Sequence, residues 1–544
     1  MNKIYQSFIG MALCSLVLVA TSCEEKTEPT EYATSEQISA SSLATPALLM
    51  AMPAALNNFD EDRVDGGWHA CFGYPAMMHI RDMEIEDCPM GSKYSGHFNH
   101  YSNDTYLSKD YGYAGYPFTY QYQLVLAANS LINAVDTTTA SEDQKGYAAA
   151  GYAYRAMIYL DMAREYEFLA TDVNATGKNA DGNTVTGLTV PIVTNTTTLT
   201  DVTNNPRASH ADMYKFIKGD LDYAVAHIKA LDKNSTYGSN HTLPHLGSVY
   251  GLLARLYMWN GDYANAETAA ANAIANSNTT PITQAEGLST TKGFNTLTDF
   301  MWGGQTQAED RVVTSGIINW TSWVSNEATY GYAGAGSYFM ISKTLYDKIK
   351  DTDWRKLMFK APSDGTLTGK EPWIDAANAE GLPDYATLKF RPGSGDINDY
   401  KVGSASAYPL MRVEEMYFIQ AEAAAHLDAA RGKALLESFM TTYRDDSYTC
   451  KASSQEDVIT EIILQKRIEL WGEGQLFFDY KRLGLGVTRG YTGTNFPDAA
   501  RFNVTGRPAW MNWVLPRSEE ERNAAVKGNN NSDPSDLYTP WTGK

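Results

Sequence analysis

Two stretches of this chain gather residue types able to hold a polar, ring-shaped molecule. One runs Asn319-Trp320-Thr321-Ser322-Trp323 through Asn326, Tyr330, Tyr332 and Tyr338, with Gly331, Gly334 and Gly336 letting the backbone bend. The other runs Trp68-His69, Phe72 and Tyr74, then Tyr94, His97-Phe98, Asn99 and Tyr101. Indole and phenol faces are flat apolar platforms, and the amides beside them supply hydrogen bonds. A sugar, with C–H faces and a rim of hydroxyls, needs that mixture. The candidate ligand-binding residues are therefore Trp320, Trp323, Asn326, Tyr330, Tyr332, Tyr338, Trp68, Tyr74, Tyr94, Asn99 and Tyr101, and alanine at Trp320 and Trp323 is expected to abolish binding while leaving stability nearly unchanged.

Groups able to run a reaction are sparser. His97 and His100 stand three apart, but no Glu or Cys accompanies them at metal-ligand spacing. No nucleophile elbow, phosphate loop or dinucleotide fingerprint occurs. The pairs Asp82 with Glu84 and Glu86 with Asp87 could serve a glycosidase, which needs two acids about 5–9.5 Å apart across the bond. Acids are plentiful in the chain, however, and single out no site. Asp172, Asn174, Asn179, Asp181 and Asn183 offer oxygen ligands to calcium, though not at EF-hand spacing, and a solvated loop is the simpler reading. No catalytic residue, metal site or cofactor is assigned, and the chain is read as a non-enzyme.

Charge narrows the partners. Lys plus Arg number 44 against 64 Asp plus Glu, a formal charge of −20 with no basic run. Nucleic acids and anionic lipid surfaces need a positive footprint and are excluded as partners. A neutral ligand fits better. Tyr at 35 outnumbers Phe at 18, so some phenols are expected to face solvent or ligand.

The start of the chain reads as a leader. Met1-Asn2-Lys3 precedes an apolar run from Phe8 to Ala20, too short to span a bilayer and of the length of a secretory core. Val19-Ala20-Thr21-Ser22-Cys23 places small residues before a cysteine and resembles a lipobox, so residues 1–22 are expected to be removed and Cys23 lipidated. Acyl chains supply roughly 0.8 kcal/mol per buried methylene, enough in combination to hold the protein at a membrane. Residues 23–34 read as a solvated tether. The mature chain keeps Cys71, Cys88 and Cys450, at spacings that match no metal motif; a Cys71–Cys88 disulfide is compatible with an oxidising compartment.

The elements that must position these residues are helical. Leu124, Ala127, Leu131 and Val135 keep helical spacing, as do Tyr152, Ala156, Tyr159 and Ala163. Tyr250, Leu253, Ala254, Tyr257, Ala266 and Ala273 fall at tetratricopeptide spacing around a Gly261-Asp262 turn. The expected fold is mainly α: one body over 35–544, a tetratricopeptide-like scaffold of about four helix pairs (147–231 interrupted, 244–277, 410–443 and 456–484). Long irregular insertions at 57–118, 276–342 and 351–407 carry the ligand surface.

Several segments resemble the SusD/RagB family of outer-membrane nutrient-binding lipoproteins. They are Tyr408-Pro-Leu-Met-Arg412 leading to Ala421-Glu422-Ala423, Lys466-Arg467-Ile-Glu469-Leu-Trp-Gly-Glu473, Phe477-Phe478-Asp479-Tyr-Lys-Arg482, and Trp513-Val-Leu-Pro516 followed by Asn529-Asn-Asn-Ser-Asp-Pro534. The last departs from the family's more common Gln-Asn-Pro-Gly. The resemblance implies a cell-surface lipoprotein in the outer membrane that hands cargo, usually glycan and in some members peptide, to a TonB-dependent transporter of the SusC type. Glu24-Glu25 after Cys23 agree with the acidic export signal of such proteins. Arg467, Glu469, Asp479 and Arg482 are expected to form a buried charge network orienting the last helices, not to touch ligand.

Overall fold

The computed structural model describes residues 44–59, 68–92, 97–136 and 138–543; Cys23, the leader 1–22 and the tether 23–34 lie outside them. The architecture is mainly helical, as expected. Its helices of eight residues or more are α1 Ala44–Ala55, α2 Tyr74–Met83, α3 Gly112–Asn133, α4 Glu142–Tyr166, α5 His210–His227, α6 Leu246–Asn260, α7 Tyr263–Ala275, α8 Val413–Leu427, α9 Ala429–Tyr443, α10 Gln455–Glu469 and α11 Leu476–Leu483. No described helix is long and apolar enough to cross a membrane.

Local sequence explains the hairpins. Helix α6 stops at Gly261, whose φ of 72° is left-handed and suits a residue without Cβ. Asp262 then caps α7 by accepting from the Asn265 amide at 3.3 Å. Ala266, Ala269, Ala270 and Ala273 are buried and small, so α7 lies close on its neighbours α6 and α8. Asp428 caps α9 in the same way, and Gly432 passes where a Cβ would overlap Ala425 of α8. Helices α4 and α5 pack together across the long connection between them.

Strands are short and pair two by two, all antiparallel: β1 Met90–Ser92 with β5 Ser337–Phe339, β2 Leu188–Pro191 with β3 Arg207–Ser209, β4 Trp302–Gln305 with β6 Ala407–Met411, and β7 Val487–Thr488 with β8 Asn503–Val504. The β1–β5 pair sets Gly91 opposite Tyr338. It thereby joins the two aromatic stretches, which are more than two hundred residues apart in sequence.

A fully buried ion network locks α8, α9 and α10 to the loops. Glu469 accepts from Arg444 at 2.7 Å, Arg412 at 3.1 Å and Arg355 at 3.1 Å; Arg412 also meets Glu414 and Glu473, and Lys389 meets Glu473 at 2.6 Å. The guanidiniums hold the Glu469 carboxyl well below the ordinary range, against the opposing pull of burial. With Asp353 beside Arg355, four cations face four carboxylates, so the cluster is neutral as burial demands. Beside it Arg467 joins Glu86 and Asp87, Lys466 joins Asp479, and Arg482 joins both Asp479 and Glu422.

Candidate functional site

The short helix Trp320–Val324 is started by Asn319, whose side chain accepts from the Ser322 amide. This turn points Trp320 and Trp323 inward, and each is only 2% exposed. Trp320 packs on Phe390. Trp323 is stacked on Tyr332 with ring centroids 3.4 Å apart and is walled by Phe98 and His79. A ligand would reach these indoles only after their covering side chains moved. Asn326 is also buried and fully occupied: it donates to the Phe339 and Thr387 carbonyls and accepts from the Phe339 amide. Tyr74 gives its hydroxyl to Asp161 at 2.5 Å inside the helical core.

Above Trp323 the structure brings the two stretches together. Tyr332 hydroxyl lies 2.6 Å from His69 Nδ1, and His69 stacks on His97 at 4.0 Å, both imidazoles half-exposed. Burial, followed by the His97 ring, lowers the His69 pKa to about 4, and burial lowers that of His97. This patch is therefore uncharged at neutral pH. Tyr330, with its hydroxyl by Gly403, and Tyr338 are half-buried, and Asn99 is half-exposed at the start of the helical turn Asn99–Ser102. The Trp68 side chain and Tyr94 lie outside the described residues.

From Trp323 a line of rings runs outward to solvent. Trp323 meets Phe98 at 4.9 Å, Phe98 meets Tyr101, Tyr101 meets Tyr113, Tyr113 meets His100 at 4.2 Å, His100 meets Tyr106 at 4.9 Å, and Tyr106 meets Tyr111 at 4.9 Å. The line ends in the two exposed tyrosines, Tyr106 at 48% and Tyr111 at 44%. Tyr106 has φ of 58° and Asp104 φ of 53°, left-handed backbone that costs a residue with Cβ about 1–2 kcal/mol. The chain end holds them there: Asp536 donates its amide to the Asp104 carbonyl, and the Leu107 amide donates to Ser535 Oγ, each at 2.8 Å. Strain of this kind collects at functional sites.

Beneath Tyr113 lies a small, partly open hollow lined by Tyr101, Tyr113, Tyr166, Trp510, Trp513 and Glu84. Burial pushes the Glu84 carboxyl well above its ordinary pKa; it accepts from Trp513 Nε1 at 2.9 Å.

Reading the sequence missed Tyr106, Tyr111 and Tyr113 as site residues. The available signal was the density of tyrosine between Tyr101 and Tyr113 beside the turn-forming Asn103-Asp104. The acid pairs prove to be packing groups: Asp82 accepts from the Gly474 amide, and Glu86 and Asp87 hold Arg467. Cys71 and Cys88 are buried and are not bridged to one another. Asn179 and Asn183 spend their side chains on the carbonyls of Gly528 and Asn530, docking their loop on the chain end. No cluster of three His, Cys, Asp or Glu side chains among the described residues is placed to hold a metal.

Comparison with known proteins agrees with this architecture. Residues 325–538 match the model of the SusD family. A SusD-like carbohydrate-binding protein from Bacteroides vulgatus ATCC 8482 superposes with a TM-score of 0.68 at 22% identity, covering 90% of this chain and 97% of that one. A SusD superfamily protein from Bacteroides thetaiotaomicron VPI-5482 gives 0.64 at 18% identity, covering 88% and 98%. A laminarin-binding SusD-like protein gives 0.60 at 17% identity, covering 88% and 97%. No curated relative matches the sequence.

Proposed function

We propose, from the premise that this chain belongs to the SusD/RagB family, that it is a non-catalytic surface lipoprotein that captures glycan and passes it to a TonB-dependent outer-membrane transporter. The observation that carries the glycan reading is the line of rings from Trp323 to the exposed Tyr106 and Tyr111. Exposed phenols 4.9 Å apart offer C–H-stacking faces with hydroxyls at their edges, and the half-exposed Asn99 and Tyr338 lie on the same two stretches. Trp323, Tyr332 and Tyr101 form its buried base; Trp320, Asn326 and Tyr74 are buried apart from the line, and Tyr330, Trp68 and Tyr94 complete the candidate set.

The uncharged imidazoles of His69 and His97 support a neutral ligand, in line with the chain's charge of −20. The structural neighbours described as carbohydrate- or laminarin-binding support the same class. Lipid anchoring rests on Cys23 and its preceding small residues, and delivery to a transporter rests on the family.

The test is retention of the purified, unlipidated protein by a panel of soluble polysaccharides and by an immobilised protein digest, with product release read in parallel. Retention by one polysaccharide without cleavage is expected. Retention by peptides alone would replace the cargo with peptide, and release of shortened chains would make the protein a hydrolase.

A further inference from the structure

Five nitrogen-bearing side chains converge on a second small cavity, partly open to solvent: Arg164 of α4, Arg255 of α6, Lys466 of α10, and Gln475 and Arg482 around α11. Each arginine is anchored from behind. Arg164 gives Nη2 to Asp161 and Nε to the Leu160 carbonyl, Arg255 grips Glu415 through Nε and Nη2, and Arg482 grips Glu422 and Asp479 through the same two atoms. In all three the remaining nitrogen, Nη1, makes no hydrogen bond among the described residues. Gln475 is 6% exposed, and its Nε2 also has no partner. Leaving a buried amide donor unmet is destabilising unless something fills the space.

The unspent groups are all donors. Glu415 and Asp479 line the cavity too, but both are already engaged by Arg255 and by Lys466 and Arg482. Burial lowers the pKa of the Arg164 guanidinium, opposed by Asp161 and reinforced by repulsion from Arg255 and Arg81. Phe478 packs flat under it with its centroid 3.5 Å from the guanidinium carbon, fixing its plane. Water could meet the donors singly, whereas one oxyanion meets several at once, since guanidinium edges match the paired oxygens of a carboxylate, sulfate or phosphate.

We infer that this cavity is a binding site for a small oxyanion, or for the anionic group of a larger ligand, held by Arg164 Nη1, Arg255 Nη1, Arg482 Nη1 and Gln475 Nε2. It lies in a strongly acidic chain and is separate from the aromatic surface, so it stands whether or not the cargo is glycan. The half-buried Trp259 also lines it, offering an apolar face to whatever carries the anion.

The experiment titrates sodium sulfate and sodium glucuronate into the full mature protein at constant ionic strength set with chloride, reading heat of binding and melting temperature. Saturable binding of either anion is expected, and preference for glucuronate would identify a carboxylate-bearing sugar as the occupant while preference for sulfate would identify a free inorganic anion. Gln475→Glu places a fixed carboxylate among the same donors. It is expected to raise the melting temperature in chloride and to weaken sulfate and glucuronate at least about tenfold. Arg164→Lys, which keeps the charge and loses the fork, is the second variant and is expected to weaken both anions. General stabilisation by sulfate is linear in concentration and indifferent to these substitutions. A linear, non-saturating response to both anions in the wild-type protein, or unchanged affinity in both variants, overturns the assignment.

Discussion

Replacing Tyr106 by Asn and Tyr111 by Ala removes both exposed rings of the aromatic line at once. Each ring that stacks on a ligand contributes about 0.5–1.5 kcal/mol beyond its buried area, so losing two should weaken glycan binding by roughly 5–150-fold. Stability should hardly move. Tyr106 sits at φ of 58°, where Asn is tolerated better than Tyr, and relief of about 1 kcal/mol of backbone strain offsets the lost contacts with His100 and Tyr111. The assay is affinity electrophoresis in whichever polysaccharide retains the wild-type protein, followed by calorimetric titration, with thermal unfolding measured on the same samples. Retention unchanged in the double variant would refute the reasoning, because no ring of comparable exposure remains on that line.

Three further outcomes follow from the same geometry. Trp323→Ala should cost about 3–5 kcal/mol in denaturant unfolding, because the indole is enclosed by Tyr332, Phe98 and His79; a loss under about 1 kcal/mol would mean the ring is not core. Glu469→Gln should destabilise by a similar ~3–5 kcal/mol, since three buried arginines lose the carboxylate they share, and a neutral result would show that the network is dispensable. Burial, with Asp536 and Asp533 nearby and the Leu537 amide opposing, raises the Asp104 carboxyl to about 8. The folded state thus keeps a proton that the unfolded chain loses near pH 4, and this group subtracts stability progressively as pH rises from about 4 to about 8. Asp104→Asn should flatten that part of the stability–pH curve, and an unchanged slope would rule the group out as its source.

The helical frame was legible because its rules are local. Gly261-Asp262 demands a left-handed stop and a capping carboxylate whatever surrounds it, and the alanines of α7 announce a close-packed face. The buried character of Arg467, Glu469, Asp479 and Arg482 was also readable, since such charges in an apolar helical stretch must pair. The aromatic surface was legible only as a density of rings. Whether Trp323 faces water depends on Phe98 and His79, which arrive from more than two hundred residues away, and no spacing rule near Trp323 carries that information. Tyr106 and Tyr111 stay exposed because the last residues of the chain pin the backbone between them and Tyr101, a contact with no local signature. The oxyanion cavity was equally hidden, as its donors come from α4, α6 and α11, far apart in sequence.

The bonds that close the core also dictate when it can form. Trp513 Nε1 reaches Glu84, Trp471 Nε1 reaches the Asp87 carbonyl, the Gly474 amide reaches Asp82, and Lys481 reaches the Glu165 carbonyl. These partners stand hundreds of residues apart, so the buried acids of α2 and its following turn have no counterparts until nearly the whole chain has emerged. Contact order this high makes folding slow and leaves the apolar faces of α2 and α4 open while it proceeds. Deleting residues beyond Trp510 should therefore trap the amino-terminal half as an aggregation-prone intermediate instead of yielding a smaller folded protein.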